Sequence, residues 1–449
     1  MTAPLVVRLH DDVVVGPVVV RAGRVLRLAP AARQMLADRE VEVASDATRA
    51  LAERLLDLDL ARPVGTPPQH LSDVTVVVPV RDNASGVERL LASLGGAVSV
   101  VVVDDASSDP GSLPRITARH GADLLRLARN VGPSAARNAG LRRVSTSLVA
   151  FVDSDVVVDA AALTALLADL VDPRVAVVAP RVRTRGGRRW FERYEDAHGS
   201  LDLGDVATSV RVGSAVAYVP SACLVARVGA LESGFDESLR SGEDVDLVWR
   251  LLAAGHRVRY RADVHVWHDA RATVRGWLGR KAFYGTSAAQ LARSHGAAVA
   301  PAVLGPASTA LALAAVAQRR WSAPAVLALL VRSWLRTSRD LPDSTPAQRA
   351  EIVAFGARVT ARQTSGLVLR HWWPVTAVLA LRSRRTRRLV LVASVVDAIV
   401  AARGTDLDPA RTGVARRLDD LSYGAGVWWG AARERSIRCL LPAWVRDRA

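Results

Sequence analysis

At 449 residues, half of them hydrophobic, the chain has room for two or three domains and a large core, which excludes a predominantly disordered protein. Its two cysteines, Cys223 and Cys439, stand far apart without metal-ligand neighbours, so neither a disulfide framework nor a zinc site is expected and a reducing compartment fits. The formal charge of +16 points to an anionic partner, and arginine carries nearly all the positive charge because Lys281 is the only lysine.

Residues 1–70 read as a small β-rich accessory unit without catalytic groups. The opening residues lack a basic stretch followed by an apolar run, so no signal peptide is expected. Residues 5–9, 13–20 and 25–28 predict short strands broken by Asp11-Asp12, Gly16-Pro17 and Ala22-Gly23. Pro30 opens a helix through Leu36, and residues 48–56 predict a second. Residues 62–68 form a linker by composition.

A different rhythm starts at Val74. Residues 74–80 predict a buried strand that ends in a turn at Pro79 and Arg81-Asp82-Asn83. A helix (87–94), a strand (98–103) ending in Asp104-Asp105, a helix (113–120) and a short strand (123–127) follow. Arg129-Asn130-Val131-Gly132 then leads into a helix (133–141) and a central strand (148–152). Such alternation implies an α/β fold with a right-handed, doubly wound, mostly parallel sheet. The polar residues of note all fall at carboxyl ends of strands, where open sheets bind ligands.

The central strand runs into Asp153-Ser154-Asp155. Two carboxylates one residue apart at that edge suit a hard divalent cation that shares its shell with phosphates. An isolated pair of this kind is more often a solvated loop, so its company decides. Further on, Ser241-Gly242-Glu243-Asp244 precedes Val245, Val248, Leu251 and Leu252 at helical spacing. The acid pair therefore sits at a helix N-terminus, where the helix dipole favours ionised carboxylates.

Five motifs occur in a telling order. They are Val76-Val77-Val78-Pro79, Val102-Val103-Asp104-Asp105 with Ala106-Ser107-Ser108-Asp109, Asn130-Val131-Gly132 with Ala136-Arg137-Asn138-Ala139-Gly140, Asp153-Ser154-Asp155, and Gly242-Glu243-Asp244-Val245-Asp246-Leu247. Together they resemble a family 2 inverting glycosyltransferase of the nucleotide-sugar-binding fold called GT-A, over residues 73–290. The resemblance implies a metal-dependent enzyme that uses a UDP-sugar. Asp105 would accept the uracil N3–H, since a carboxylate only accepts, with Pro79 and Arg81 at the floor of the base pocket. Asn130, Gly132, Arg137 and Asp153 would complete the nucleotide-sugar site, with Arg137 offering its donor fork to the diphosphate. Asp153 and Asp155, both expected on a solvent-facing loop, would hold Mg²⁺ or Mn²⁺. His268, from a Val-x-His-x-x-Arg pattern ending at Arg271, would be a third ligand. Asp244 corresponds to the catalytic base and Glu243 stands beside it, as a second catalytic candidate or a helix cap. An inverting displacement needs only one base.

The layout as a whole resembles the branch of that family acting in mycofactocin biosynthesis. The likeness rests on Leu26-Arg27-Leu28-Ala29-Pro30 in the N-terminal unit, the proline-rich entry to the catalytic domain, and the Arg/Trp-rich tail. It implies glucose transfer from UDP-glucose onto a small peptide-derived redox cofactor and extension into a β-linked oligoglucoside. A glycan acceptor, in polysaccharide or glycolipid synthesis, is the alternative. A sugar nucleotidylyltransferase would want a glycine-rich loop after the first strand, and residues 79–83 contain no glycine.

From residue 291 the chain reads as a helical region. Between Arg319 and the C-terminus there are 23 arginines against 10 acidic residues, an excess of 13, and seven of the eleven tryptophans. Residues 296–317 are uncharged and nominally long enough to span a bilayer, but they are alanine-rich and hold Pro301 and Pro306. Residues 372–381 and 389–402 are apolar patches separated by Arg382, Arg384, Arg385, Arg387 and Arg388. This pattern predicts helices lying on an anionic membrane surface, at the cytoplasmic face, with arginines reaching the headgroups. A helical domain packed on the catalytic core is the alternative. Nucleic acid is not expected, because no zinc-finger, RRM or homeodomain pattern occurs.

Overall fold

The computed structural model describes residues 5–66, 69–185, 187, 189–269, 273–403 and 405–445. Arg271 of the histidine pattern and Pro67-Pro68 of the proline-rich entry lie outside the described residues. Two compact units emerge, one built on Pro63–Trp277 and the other on Val6–Arg62 with the chain from Leu278 onward.

The N-terminal part of the second unit comprises β1 (Val6–Leu9), β2 (Val18–Arg21), β3 (Arg24–Arg27), α1 (Pro30–Met35), β4 (Glu40–Glu42), α2 (Asp46–Asp57) and β5 (Ala61–Val64). Strands β2 and β3 make a hairpin whose turn, Ala22-Gly23, takes positive φ at both residues. Strands β4, β1 and β5 form a small sheet in that order. β4 and β5 were not expected. β4 is three residues with no apolar run, and β5 lies in the supposed linker, where Pro63 is tolerated because β5 is an edge strand. Helix α2 is capped by Ser45, whose hydroxyl accepts the Thr48 N–H. The fully buried Asp59 gathers Arg21 and Arg24, each at 2.5 Å.

The first unit holds β6 (Val74–Val80), α3 (Ala84–Leu94), β7 (Ser99–Asp104), α4 (Ser112–His120), β8 (Asp123–Arg126), α5 (Pro133–Leu141) and β9 (Leu148–Val152). It continues through β10 (Val156–Val157), α6 (Ala160–Leu167), β11 (Val175–Thr184), α7 (Trp190–His198), β12 (Thr208–Ser209), β13 (Cys223–Arg227), α8 (Glu243–Ala253) and β14 (Arg257–His268). These strands form one sheet of order β10-β14-β11-β13-β9-β6-β7-β8, with β12 on β14. Six of the nine strands point the same way, while β10, β12 and β13 run against them. The expected mostly parallel, doubly wound sheet is thus present, and β13 is wedged into it antiparallel.

Strand β9, and β6 but for Thr75, read as apolar runs because helices cover both faces of the sheet. One face packs Val76, Val78 and Val80 against Leu90, Leu91 and Leu94 of α3. On the other, Gly140 lets α5 approach so closely that a Cβ there would overlap Val77. The chain runs β6, β7, β8 outward and then returns to β9 on the far side of β6. That reversal opens a crevice at the carboxyl ends of β6 and β9.

The rest of the second unit comprises α9 (Val274–Thr286), α10 (Ala288–His295), β15 (Val303–Leu304), α11 (Pro306–Ala317), α12 (Ser322–Asp340), α13 (Pro346–Gly366), α14 (Trp373–Arg382), α15 (Arg384–Ala402), α16 (Pro409–Arg433) and β16 (Ala443–Trp444). Its helices meet the N-terminal strands directly. Gln348 of α13 donates to the Val18 carbonyl at 2.9 Å, and the hairpin glycine Gly23 sits against the Phe355 ring. Lys281 is buried in a 3.0 Å pair with Asp419. Beside it, Gly426 and Gly430 of α16 touch the carbonyls of Ala282 and Thr286, leaving no room for a side chain.

The uncharged stretch 296–317 does not form one helix. It breaks into a 3₁₀ turn, then β15 paired with β16, then the 12-residue α11 that Pro306 opens. Among the described residues no helix is long and apolar enough to cross a membrane.

Candidate active site

One side of the crevice is built by loops that tie to one another through carboxylates. After β6, Asp82 adopts φ 55° and accepts the Ser108 N–H at 2.7 Å, which holds its carboxyl below the usual range. Arg81 beside it is exposed and Pro79 is partly buried. Asp104 accepts the Ser107 N–H at 2.8 Å and faces Arg126. Asp105 accepts the N–H groups of Val131 and Gly132 at 2.7 and 2.9 Å, so the loop 130–132 is moulded on this carboxylate. The Asn130 side chain accepts the same Gly132 N–H at 3.1 Å. Gly132, at φ 93°, then starts α5.

Asp153 and Asp155 follow β9, with the Asp153 N–H donating to the Ala222 carbonyl just before β13. Their surroundings differ. Asp153 takes a 2.5 Å hydrogen bond from Arg137, a residue only 3% exposed, whose other terminal nitrogen reaches Glu243 at 2.9 Å. The guanidinium also lies over the Phe235 ring, 5.4 Å from its centroid. Burial opposes the charge on Arg137, but Asp153 and Glu243 outweigh it and hold the group firmly protonated. Burial pushes the Asp153 carboxyl up, Arg137 opposes this, and Asp155 adds to the rise. Both carboxylates are partly exposed, at 32% for Asp153 and 26% for Asp155, but Asp153 is in addition anchored to a buried cation. Arg137 is likewise an internal bridge between two carboxylates. Only its Nε lacks a partner among the described residues.

Asp155 meets His268. Strand β10 pairs Val156 with His268 at the end of β14, which sets the imidazole Nε2 3.1 Å from the Asp155 carboxylate. On the other side, Asn83 caps α3 and donates to both the carbonyl and the hydroxyl of Ser154 at 3.2 Å. Gly86 in that first turn permits the contact, because a Cβ there would overlap the Ser154 carbonyl oxygen. Among the described residues no group of three or more His, Cys, Asp or Glu side chains is drawn together as a closed metal cage.

The opposite side of the site is the N-terminus of α8. Gly242 caps it at φ 78°, a left-handed conformation that brings Glu243 inward to Arg137 and Asp244 beside it. Asp244 accepts N–H groups from Val245 at 2.8 Å and Ser221 at 3.4 Å. Burial, and then the neighbouring Glu243 carboxylate, push Asp244 up to about 7. Asp246 instead pairs with Arg250, which also holds Ser233 and the Gly234 carbonyl, so it secures the preceding loop.

These features are a buried carboxyl group raised to about 7 at a helix start, a pair of carboxylates at the sheet edge, and a buried arginine joining the two halves. Residues 75–235 match the profile described as glycosyl transferase family 2. A protein of Mycobacterium tuberculosis (strain CDC 1551 / Oshkosh) named pre-mycofactocin glycosyltransferase is 42% identical over 93% of this chain and 92% of its own length. The chain belongs to glycosyl transferase family 2. Its catalytic unit has the GT-A fold and its activity is sugar transfer. A more distant relative, the succinoglycan biosynthesis protein ExoO of Rhizobium meliloti, is 34% identical over 41% of this chain and 57% of its own. Among solved structures, the mannosyltransferase PcManGT from Pyrobaculum calidifontis, in complex with GDP-Man and Mn²⁺, aligns at a TM-score of 0.40 and 20% identity, over 66% of this chain and 89% of that one. That likeness is too distant to bear on the assignment.

In this family 2 enzyme several positioning residues escaped the sequence reading. Asn138 donates to the Phe235 carbonyl and to Glu237, both at 2.9 Å, and accepts the Phe235 N–H at 2.8 Å. It thereby clamps the loop that leads into α8. Gly234, at φ 57°, packs against the amide so closely that a Cβ would press on its oxygen at 2.5 Å. The signal was present in the motif 136–140, but an Asn inside a helix has no readable partner until the loop 97 residues later folds back. Asn138→Ala would leave buried Phe235 groups unpaired and should lower stability by about 3 kcal/mol, at roughly 1–3 kcal/mol per orphaned group. Turnover should fall with it, as thermal melting and kcat on one preparation would show. Unchanged values of both would remove Asn138 from this role.

Proposed function

We propose that this glycosyltransferase is an inverting, divalent-metal-dependent enzyme that transfers glucose from UDP-glucose to a hydroxyl of a peptide-derived redox cofactor of the mycofactocin type. The single observation that carries the chemistry is Asp244, raised to about 7 at the start of α8 and linked through Glu243 and Arg137 to Asp153. A base of that strength is matched to removing a hydroxyl proton at neutral pH. The acceptor oxygen attacks the anomeric carbon as Asp244 takes its proton, and the diphosphate leaves from the opposite face.

On the donor side, Asp105 keeps a second lone pair on each oxygen after accepting two backbone N–H groups, enough for the uracil N3–H. The loop carrying Asn130 and Gly132 is moulded on that carboxylate, and Pro79 and Arg81, at the end of the neighbouring strand β6, would floor the base pocket. The residues at the DxD turn fit a hard cation. Asp155 and His268 already stand 3.1 Å apart with Asp153 nearby in sequence, and diphosphate oxygens would complete an open shell. When bound, Mg²⁺ or Mn²⁺ neutralises charge that develops on the departing diphosphate. Arg137 serves mainly to bridge the two carboxylates, and its Nε, with the second hydrogen on each terminal nitrogen, would be left for a phosphate oxygen.

The acceptor follows from the 42% likeness to a pre-mycofactocin glycosyltransferase along nearly the whole chain. A polysaccharide acceptor fits relatives that align with the catalytic part alone. Mass spectrometry of the small-molecule pool from cells with and without this protein separates the two. A hexose ladder on a peptide-derived cofactor, lost on deletion, supports the reading. An unchanged cofactor pool together with a missing glycan overturns it. In vitro, release of UDP from UDP-glucose but no GDP from GDP-mannose tests the donor.

A further inference from the structure

We propose that the hairpin of α14 and α15 is a docking face for the anionic surface of a lipid bilayer. The inference stands apart from the choice of donor and acceptor. Helix α15 exposes Leu391, Val392, Val395, Val396, Ile399 and Val400, each between 47% and 63% accessible. Their spacing of one, three, one, three and one residues places all six on one side of the helix, in a continuous apolar stripe. On α14, which is joined to α15 by Ser383 and packs against it, Val375, Val378 and Leu379 repeat the pattern at about half exposure. Monomeric soluble proteins seldom leave so much contiguous apolar surface open.

The charge beside the stripe has one sign. Between Glu351 and Asp397 the chain has no acidic residue and eight arginines. Arg382, Arg384, Arg385, Arg387 and Arg388 are all exposed, at the junction of the two helices. Asp397, the first acid reached along α15, is already taken by Arg416 and Arg417. No acid stands in the first turn of α15, where the helix dipole adds to the positive field. The complement must come from outside the chain.

A second copy packed on this face about a two-fold axis would bring the same arginines and no new acids to the contact. An anionic bilayer supplies both a sheet of negative charge and an apolar layer beneath it, with no demand for a matching shape. The stripe spans about ten residues, roughly 15 Å along the helix, half the thickness of a hydrocarbon core. It therefore lies along the surface, in keeping with the absence of a membrane-crossing helix among the described residues. Trp429, on the α16 helix that packs along α15, is 68% exposed and is suited to the headgroup layer.

Flotation of the full-length protein with vesicles tests the proposal. The protein should rise with vesicles of phosphatidylcholine and phosphatidylglycerol at low salt, and much less with phosphatidylcholine alone. Replacing Arg384, Arg385, Arg387 and Arg388 together by Gln should lower the partition coefficient by about fivefold per charge. Val395→Ser, Val396→Ser and Ile399→Ser combined should remove the part that survives high salt. All seven positions are exposed, so circular dichroism and UDP binding should match the parent protein. Failure to float at low salt, or equal flotation on neutral vesicles, would overturn the proposal. So would a dimer, seen by light scattering, that the triple serine variant dissolves in a protein that ignores vesicles.

Discussion

Asp244→Asn should lose sugar transfer by a factor of about 100 to 10,000, the usual contribution of a general base, and should keep its affinity for UDP. The amide preserves shape and can still accept the Val245 N–H, so the helix start should remain in place. Only the ability to take a proton goes. The pH profile gives a second, independent readout. An aspartate raised to about 7 is protonated below that pH and cannot act as a base. In the parent enzyme kcat/KM should therefore fall tenfold per pH unit below about 7 and level off above it. The residual rate of Asp244→Asn should lack this limb. Glu243→Gln, which removes the carboxylate that helps to raise Asp244, should shift the limb to lower pH. Calorimetry with UDP, alongside initial rates across pH, would check all three. A fully active Asp244→Asn enzyme would overturn the base assignment.

The two carboxylates of the DxD turn should separate when each is replaced by alanine. Both variants should lose turnover, but only one should lose stability. Asp155 faces His268 at the sheet edge, and its side chain is 26% exposed, so Asp155→Ala should melt close to the parent protein. Asp153→Ala deprives a buried guanidinium of one of its two partners. Breaking a buried pair by removing one member costs about 3–5 kcal/mol, and the lower end applies because the Asp153 side chain is one-third exposed. In a unit of this size that corresponds to a fall in melting temperature on the order of 10 °C. Asp153→Asn, which keeps an acceptor for Arg137, should recover much of the stability and none of the turnover. Calorimetric melting of the three variants, with turnover measured in Mn²⁺ and in Mg²⁺, decides the point. An Asp155→Ala enzyme with normal rates would place the metal elsewhere. An Asp153→Ala protein that melts like the parent would show that the Arg137 bridge does not hold the site together.

Several parts of this enzyme are legible from sequence because they are local. Valine-rich runs, residues 76–78 and 100–103, mark β6 and β7, and a sheet covered on both faces favours such runs. The acidic residues after them fall at the ligand edge whichever way the strands pair. The acid pair at the start of α8, and the pair Asp153 and Asp155, are likewise readable within a few residues. Relations between distant segments are not. Arg137 and Glu243 are 106 positions apart and nothing in either local pattern names the other. The antiparallel β13, which brings Ala222 to Asp153, has the apolar composition of a parallel strand, and the long β14, which brings His268 to Asp155, alternates charged with apolar residues. The short β4 and the proline-containing β5 gain their pairing only from β1. For the uncharged stretch 296–317, hydropathy alone permits a membrane span. Its fate was settled by a strand pairing with residues 443–444, a contact that no window along the chain contains. Composition and periodicity report what each segment needs to bury, while the tertiary structure decides which distant segment buries it.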